Sequence, residues 1–145
     1  MDSTKPLEST PKSCNRVTVR AISRTEAVHE WHWIDPLLNR IEADTGLSTE
    51  DLLTRIQRGE YQLWGVPGGV CVTSVTDLPQ FRICTVLQLA GDGLSEWFDP
   101  LMDAIEDWAR QLGCKYVEEY GRKGWERIGK SRGYERAFTV MRKKL

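Results

Sequence analysis

The sequence lacks most features that would place it in a specialised class of protein. Its four cysteines, Cys14, Cys71, Cys84 and Cys114, lie far apart, without a CxxC pair or a cysteine–histidine cluster, so no metal site is expected. The two histidines lack a third strong ligand nearby. No apolar run is long enough to cross a bilayer, and no signal peptide is recognisable. These absences predict a protein of the reducing cytoplasm, or of a particle assembled there, without membrane contact.

Net charge is also nearly absent, since 20 basic and 21 acidic residues leave a formal charge of -1. Its distribution is uneven. No lysine or arginine occurs between Ile83 and Ala109, where six acidic residues stand, whereas eleven basic and four acidic residues run from Arg110 to Leu145. This basic stretch leaves contact with nucleic acid open, although no recognised binding motif accompanies it. It can equally complement the acidic stretch Asp99–Asp107 or another subunit.

The length of 145 residues and a hydrophobic content of 40% suit one domain with one core. The first 15 residues are polar and cannot bury enough apolar surface to offset the entropy lost on ordering. We therefore predict a tail over residues 1–15, disordered or held by a partner, and a single domain over residues 16–145.

Hydrophobic periodicity and capping residues predict the first half of the domain. Ser23 or Thr25 can begin a helix, and Ser48 with Asp51 approximates a capping box. The predicted elements are a strand over Arg16–Ile22, a helix to about Asp44, a helix from Ser48 to Gly59, and a hairpin of strands Tyr61–Val66 and Val70–Val75.

The second half begins with a run of β-branched and apolar residues and continues through alternating helices and strands. Asp99 before Pro100 is typical of a helix start, with Asp99 as the N-cap residue. The predicted elements are a strand over Phe81–Leu89, a helix over Pro100–Leu112, a strand over Cys114–Tyr120, a short helix over Gly124–Arg132 and a last strand over Tyr134–Met141.

This order, with the segments Trp108–Cys114, Gly124–Arg127 and Arg132–Tyr134, resembles the C-terminal half of GNAT-fold N-acetyltransferases. It is most similar to small, divergent members encoded by tailed phages. The resemblance implies an α/β (α+β) fold with a mixed, mostly antiparallel sheet and helices on both faces. It implies acetyl-CoA as the cofactor if the chain is an enzyme.

In the family, glycines and backbone amides at a helix start hold the CoA pyrophosphate. The resemblance places this loop at Gly91, Gly93, Leu94 and Ser95, followed by acidic and aromatic residues where later glycines belong. A carboxylate beside a pyrophosphate is repulsive by about 1 kcal/mol or more near a surface. We therefore expect a degraded CoA loop and, in the leading hypothesis, no cofactor.

The resemblance also implies a tyrosine that protonates the departing thiolate, but Gly129 stands at that position. Tyr120 or Tyr116 could replace it, since tyrosine has an ordinary pKa near ~10. Glu118 or Glu119 could act as the base. Adjacent strand residues face opposite ways, so only one of the two can point into a cleft.

Six tryptophans are many for a chain of this length. Trp64 and Trp108 fit core positions of a strand and a helix. Tryptophan and arginine are enriched at interface hot spots, so the remaining aromatic and basic side chains near the loop and last helix are candidates for protein contact. The interface candidates are Trp97, Trp33, Trp125, Arg122 and Arg127.

The leading hypothesis is a non-catalytic phage protein that acts through protein contacts, virion-associated or directed at a host protein, in the host cytoplasm or the virion. The alternative is an acetyl-CoA-dependent N-acetyltransferase with a rearranged site. A weaker alternative is a nucleic-acid-binding module that uses the C-terminal basic face. Substrate, partner and oligomeric state do not follow from the residues.

Overall fold

A computed structural model of the protein describes residues 17–41, 45–121 and 124–145. The predicted tail over residues 1–15 lies outside this part. No helix in the described ranges is both long and apolar enough to cross a membrane. The elements are β1 Arg20–Ile22, α1 Arg24–Leu38, α2 Thr49–Gln57, β2 Tyr61–Val66, β3 Gly69–Asp77, β4 Arg82–Gly91, α3 Leu94–Gln111, β5 Tyr116–Glu119 and α4 Trp125–Lys130.

The five strands form one sheet in the order β1-β2-β3-β4-β5. The first four are antiparallel to their neighbours, whereas β5 runs parallel to β4. Two parallel strands need a long crossover connection, and α3 provides it. The mixed, mostly antiparallel sheet that the sequence predicts is confirmed.

Both faces of the sheet are covered, because successive strand residues point to opposite sides. Leu63 packs with helices α1 and α2, whereas its neighbour Trp64 packs with α3. The α1/α2 face also buries Ile34 and Leu52. The α3 face buries further apolar side chains together with two of the cysteines, namely Cys71, Cys84, Leu101, Met102 and Ile105.

The helices start in two different ways. Ser23 and Glu26 at α1 exchange hydrogen bonds between side chain and backbone at 3.1 and 3.0 Å. Ser48 and Asp51 do the same at α2, at 3.0 and 2.9 Å, as predicted. Helix α3 instead follows Gly93, which lies in the left-handed region and provides no side-chain cap. We call this the uncapped start of α3.

The predicted helix start at Asp99 and Pro100 is wrong, since α3 begins at Leu94 and contains Pro100. Proline cannot donate the backbone hydrogen bond of a helix interior. Trp97 and Phe98 in the preceding turn are only 2% and 4% exposed, so their burial stabilises a turn that local sequence does not favour. Trp97, an interface candidate, is therefore buried in the core on the α3 face.

The predicted last strand, Tyr134–Met141, does not form in the described structure, where residues 134–145 contain no helix or strand. Among the residues that the structure describes, strand β5 pairs with β4 and has no second neighbour in the sheet. Helix α1 also ends earlier than predicted, at Leu38, and residues 42–44 lie outside the described ranges.

Candidate functional site

Strands β4 and β5 run together for only part of their length. Their pairing extends from Ile83 opposite Tyr116 to Val86 opposite Glu119, and one further bond joins the Tyr120 amide to the Val86 carbonyl at 3.1 Å. Strand β4 continues to Gly91. Within the described residues, its segment 87–91 therefore has no strand partner on the β5 side. We call this opening the fork.

A β-bulge lies where the fork opens. In the register with β3, Thr73 lies opposite Val86 and Val72 lies opposite Gln88, so Leu87 is an extra residue in β4. A bulge bends and twists the strand that contains it. The bulge lies next to Val86, the last residue of β4 that pairs with β5.

The open end of the fork leads to the uncapped start of α3. Gly91 and Gly93 have φ values of 143° and 79°, and a Cβ on Gly91 would lie 2.3 Å from the Gly68 carbonyl oxygen. Leu94 and Ser95 begin the helix, where backbone N–H groups lack partners within the helix and attract negative charge. The four residues predicted to bind a pyrophosphate therefore lie together at the end of the fork.

A positively charged side chain that is distant in sequence lies beside this loop. The Arg40 guanidinium, just after α1, lies 3.0 Å from the Asp92 carboxylate. This pair brings a positive charge to a loop whose own stretch of sequence contains no lysine or arginine. No local signal could reveal it, because 52 residues separate Arg40 from Asp92.

A cavity of about 220 Å³ lies between the fork and the loop. The Trp97 indole lines the cavity and donates a hydrogen bond of 2.6 Å to the Asp92 carbonyl. Trp125 of α4 packs on Phe98, with ring centroids 5.9 Å apart, and lies against Gly121, where a Cβ would be 2.4 Å from its ring. The lining residues are Arg40, Ile41, Leu89, Ala90, Gly91, Leu94, Trp97 and Trp125.

The cavity is smaller than the roughly 300–1,000 Å³ typical of small-molecule sites. The loop, its glycines and Arg40 suit a diphosphate group. A longer ligand in the fork requires the Trp125 ring to move aside, because that ring lines the same cavity. The glycines and free N–H groups of the loop therefore suit the diphosphate of CoA, the Asp92 carboxylate paired with Arg40 opposes it, and the rest of CoA fits only after the Trp125 ring moves.

Glu119, at the end of β5, points toward the α3 face, and Glu118 points the opposite way. Burial and the neighbouring carboxylate of Glu106 raise the pKa of Glu119 to about 7, although Arg132 opposes the shift. A Cβ on Gly129 would lie 3.2 Å from the Glu119 carboxylate, so glycine leaves room for it. Of the two predicted bases, Glu119 is the one on the α3 face, where burial raises its pKa to about 7.

Helix α4 and the residues after it are tied to the acidic helix α3. Arg132 donates hydrogen bonds to Asp103 at 2.6 Å and to Glu106 at 3.0 Å. The Tyr134 hydroxyl donates to the other Glu106 oxygen at 2.7 Å, and burial beside this carboxylate raises the pKa of Tyr134. The predicted complementarity between the basic stretch and the acidic helix is confirmed for Arg132.

The remaining candidates do not join this cluster. Tyr120 is exposed, and by strand alternation it lies on the Glu118 side of β5. Trp33 is half-buried on α1, where its indole donates to Glu30 at 3.1 Å. Arg127 of α4 is exposed, and Arg122 falls outside the described residues.

Comparison with known protein families gave no match, and comparison with curated protein sequences gave none either. Solved structures do match. A ribosomal-protein-alanine N-acetyltransferase from Brucella melitensis biovar Abortus superposes with a TM-score of 0.69 at 12% identity, covering 90% of this chain and 99% of that one.

An aminoglycoside acetyltransferase from an uncultured soil metagenomic sample, solved with sisomicin, gives a TM-score of 0.66 at 12% identity, covering 90% and 97% of the two chains. A GNAT family acetyltransferase from Staphylococcus aureus gives 0.64 at 14% identity, covering 89% and 98%. Likeness at such identities concerns the fold. The chain thus has the fold of GNAT-family acetyltransferases over nearly its whole described length.

Proposed function

We propose that the protein is an acetyl-CoA-dependent N-acetyltransferase. The observation that carries this proposal is the fork in the sheet, which opens at the bulge of Leu87 and leads directly to the uncapped start of α3. An open strand edge and a free helix start, joined end to end, suit an elongated ligand with amide groups along its length and a diphosphate at one end.

Different residues of the chain would then bind different parts of acetyl-CoA. The amides of the Gly91–Ser95 turn would hold the diphosphate, with the Arg40 guanidinium adding positive charge beside them. The backbone groups of segment 87–91 would pair with the amides of the pantetheine arm, as an added strand does. When bound, acetyl-CoA supplies an acyl thioester that an amine can attack.

Glu119 would accept the proton of the acceptor amine. At a pKa of about 7, roughly half of its carboxyl groups are ionised at neutral pH, which is the range that suits a general base. The Brucella structure, named as an alanine N-acetyltransferase, supports a nitrogen atom as the acceptor.

Calorimetric titration of the full chain with acetyl-CoA tests the proposal. A ligand present at a hundred times its dissociation constant stabilises the fold by about 2.7 kcal/mol, which a thermal shift also detects. We expect Arg40→Gln to weaken binding several-fold. The matched control Arg58→Gln removes an exposed arginine paired with Glu60 at 3.9 Å and should leave the affinity unchanged.

Catalysis is tested separately with Glu119→Gln. Loss of a general base typically lowers the rate about 10²–10⁴-fold, so we expect acetyl transfer to fall by about 100-fold or more while acetyl-CoA still binds. Absence of acetyl-CoA binding to the unsubstituted chain would remove the enzyme proposal. Binding with full activity in Glu119→Gln would remove only the role of Glu119.

One observation favours the rival hypothesis of a non-catalytic protein, virion-associated or host-directed, that acts through protein contacts. Trp125 lines the cavity that a cofactor would enter. Trp125→Ala separates the two hypotheses. If acetyl-CoA binds this variant and not the unsubstituted chain, Trp125 blocks the site and the non-catalytic function is supported. If both bind, Trp125 is a movable side chain and the enzyme proposal stands.

A further inference from the structure

A second open cavity, of about 250 Å³, lies at the edge of the sheet beside the end of β1. We call it the edge cavity. Trp108, near the end of α3, lines it, whereas Trp97, near the start of α3, lines the cavity at the fork. These two positions are about 16 Å apart along the helix. The edge cavity is therefore separate from the proposed acetyl-CoA site.

Aromatic rings form the apolar part of the edge cavity. Trp64 and Trp108 meet edge to face, with ring centroids 5.4 Å apart. Tyr61 adds a third ring, and the Arg55 guanidinium lies 5.5 Å from the centroid of that ring. Walls made of aromatic side chains favour ligands that themselves carry a flat apolar group.

A chain of hydrogen bonds orients one polar side chain of the edge cavity, that of Gln62. The Trp64 indole donates to Thr73 Oγ1 at 3.0 Å. Because an indole N–H can only donate, the Thr73 hydroxyl keeps its own hydrogen for Gln62 Oε1, also at 3.0 Å. The Gln62 amide nitrogen has no acceptor among the residues that the structure describes, so its two N–H donors are free for a ligand.

Arg24, the first residue of α1, adds a positive charge to the edge cavity. Its guanidinium lies against the backbone of Gly59, where a Cβ would be 2.5 Å from a guanidinium nitrogen, so the glycine leaves room for it. Within the described ranges no carboxylate pairs with Arg24. Arg55 and Arg58 at the end of α2 share the single carboxylate of Glu60, at 3.3 and 3.9 Å. This part of the surface therefore has an excess of positive charge.

The helix end beside Arg24 does not account for the position of this arginine. A basic side chain near the end of a helix often binds the last carbonyls. At the end of α2, however, the carbonyls of residues 54–56 already accept backbone hydrogen bonds of 2.9–3.0 Å. The donors of the Arg24 guanidinium therefore remain free to bind an anion in the edge cavity.

We propose that the edge cavity binds a small molecule that carries one carboxylate on an aromatic system of one or two rings. The carboxylate would accept hydrogen bonds from the Arg24 guanidinium and the Gln62 amide, and the rings would pack on Trp64 and Trp108. The volume of about 250 Å³, below the roughly 300–1,000 Å³ of larger ligand sites, sets this size. The inference does not depend on acetyl-CoA binding.

Titration of the full chain with 2-naphthoate tests the proposal. The ligand efficiency typical of drug-sized molecules predicts a Kd of about 1 mM for its roughly 13 non-hydrogen atoms. The matched probe 2-naphthamide has the same rings without the charge, and we expect it to bind about tenfold more weakly. Equal affinity for the two probes, or no binding of 2-naphthoate at about 10 mM, overturns the proposal.

Substitutions test the two polar contacts. Arg24→Gln should weaken 2-naphthoate binding about tenfold or more and leave 2-naphthamide binding unchanged. Gln62→Glu retains an oxygen that can accept from Thr73 and replaces the free amide with a carboxylate oxygen, so it should weaken 2-naphthoate binding at least about tenfold. The control Arg58→Gln removes the same charge from a residue that does not line the cavity and should change the affinity less than about twofold. Equal weakening in Arg24→Gln and Arg58→Gln contradicts the assignment.

The indole N–H signals in nuclear magnetic resonance spectra show where the probe binds. Trp108 lines the edge cavity and Trp125 lines the cavity at the fork, and Trp108→Phe and Trp125→Phe assign their signals. Ring currents from 2-naphthoate should shift the Trp108 signal of the unsubstituted chain and leave the Trp125 signal in place. A shift of Trp125 without Trp108 places the probe at the fork and overturns the proposal.

Discussion

The two faces of the sheet differ in how their helices begin and in how many charged side chains they partly cover. On the α1/α2 face, both helices begin with closed capping boxes, built by Ser23 and Ser48. On the α3 face, the main helix starts without a side-chain cap, and charged groups lie partly covered, among them Glu119 and Arg132. Covered charge lowers stability unless it is paired, so its concentration on one face indicates where function is sited.

The largest expected difference between the faces concerns their arginines. Arg132 is well covered and bonded to three carboxylates of α3, of which only Glu106 is itself well covered, so Arg132→Ala removes charged hydrogen bonds and should cost about 3 kcal/mol. Arg20→Ala, which breaks a more exposed pair with Glu30, should cost less than about 1 kcal/mol. Urea unfolding measures the free energy of unfolding of both variants, and equal losses would contradict the proposed difference between the two faces.

The pH dependence of stability should differ in sign between the faces. Glu119 has a folded pKa of about 7, above its ordinary 4.5, so its contribution to stability is present below pH 4.5 and is lost as pH rises through 7. Glu119→Gln should therefore match the parent at pH 4 and exceed its stability by about 2–3 kcal/mol at pH 9.

On the capped face the expected slope is reversed. Hydrogen bonds from Ser48 lower the pKa of Asp51 below 3.8, so its contribution to stability is present at neutral pH and is lost as pH falls. Asp51→Asn should be less stable than the parent at pH 7, and the difference should shrink toward pH 3. Denaturant titrations across pH check both variants, and slopes of the same sign would contradict the comparison.

The smallest expected effect concerns the helix starts themselves. Ser48→Ala removes a cap and should cost about 1 kcal/mol. Ser95→Ala, at the uncapped start of α3, should change stability by less than about 0.5 kcal/mol. A loss at Ser95 as large as that at Ser48 would show that the start of α3 is already satisfied by its own residues.

Local patterns predicted much of the fold. Alternation and turn residues predicted β2 at its observed bounds, Tyr61–Val66, and the capping box at Ser48 is as expected. The start of α3 was not predictable, because Asp99 with Pro100 is a typical local signal that the burial of Trp97 overrides. Tertiary packing decides such positions.

The site was predictable only in part. The resemblance to GNAT-fold enzymes indicated the proposed pyrophosphate loop and the two candidate bases, but the choice of Glu119 depends on burial beside α3. Arg40 and Asp92 meet across 52 residues, and the bulge at Leu87 depends on the pairing partner in β3. Neither the Arg40–Asp92 pair nor the bulge produces a recognisable pattern in the local sequence. The last strand was predicted from alternation that has no partner within the described chain.

The bulge at Leu87 also bears on how such a chain can change over time. The bulge depends on the number of residues in β4 rather than on the identity of any one side chain. Substitutions can accumulate on both sides of it without removing it. Deleting the codon for Leu87 would remove the extra residue and turn the later side chains of β4 to the opposite face of the sheet. A structural feature of this kind can persist after sequence similarity between related chains is no longer detectable.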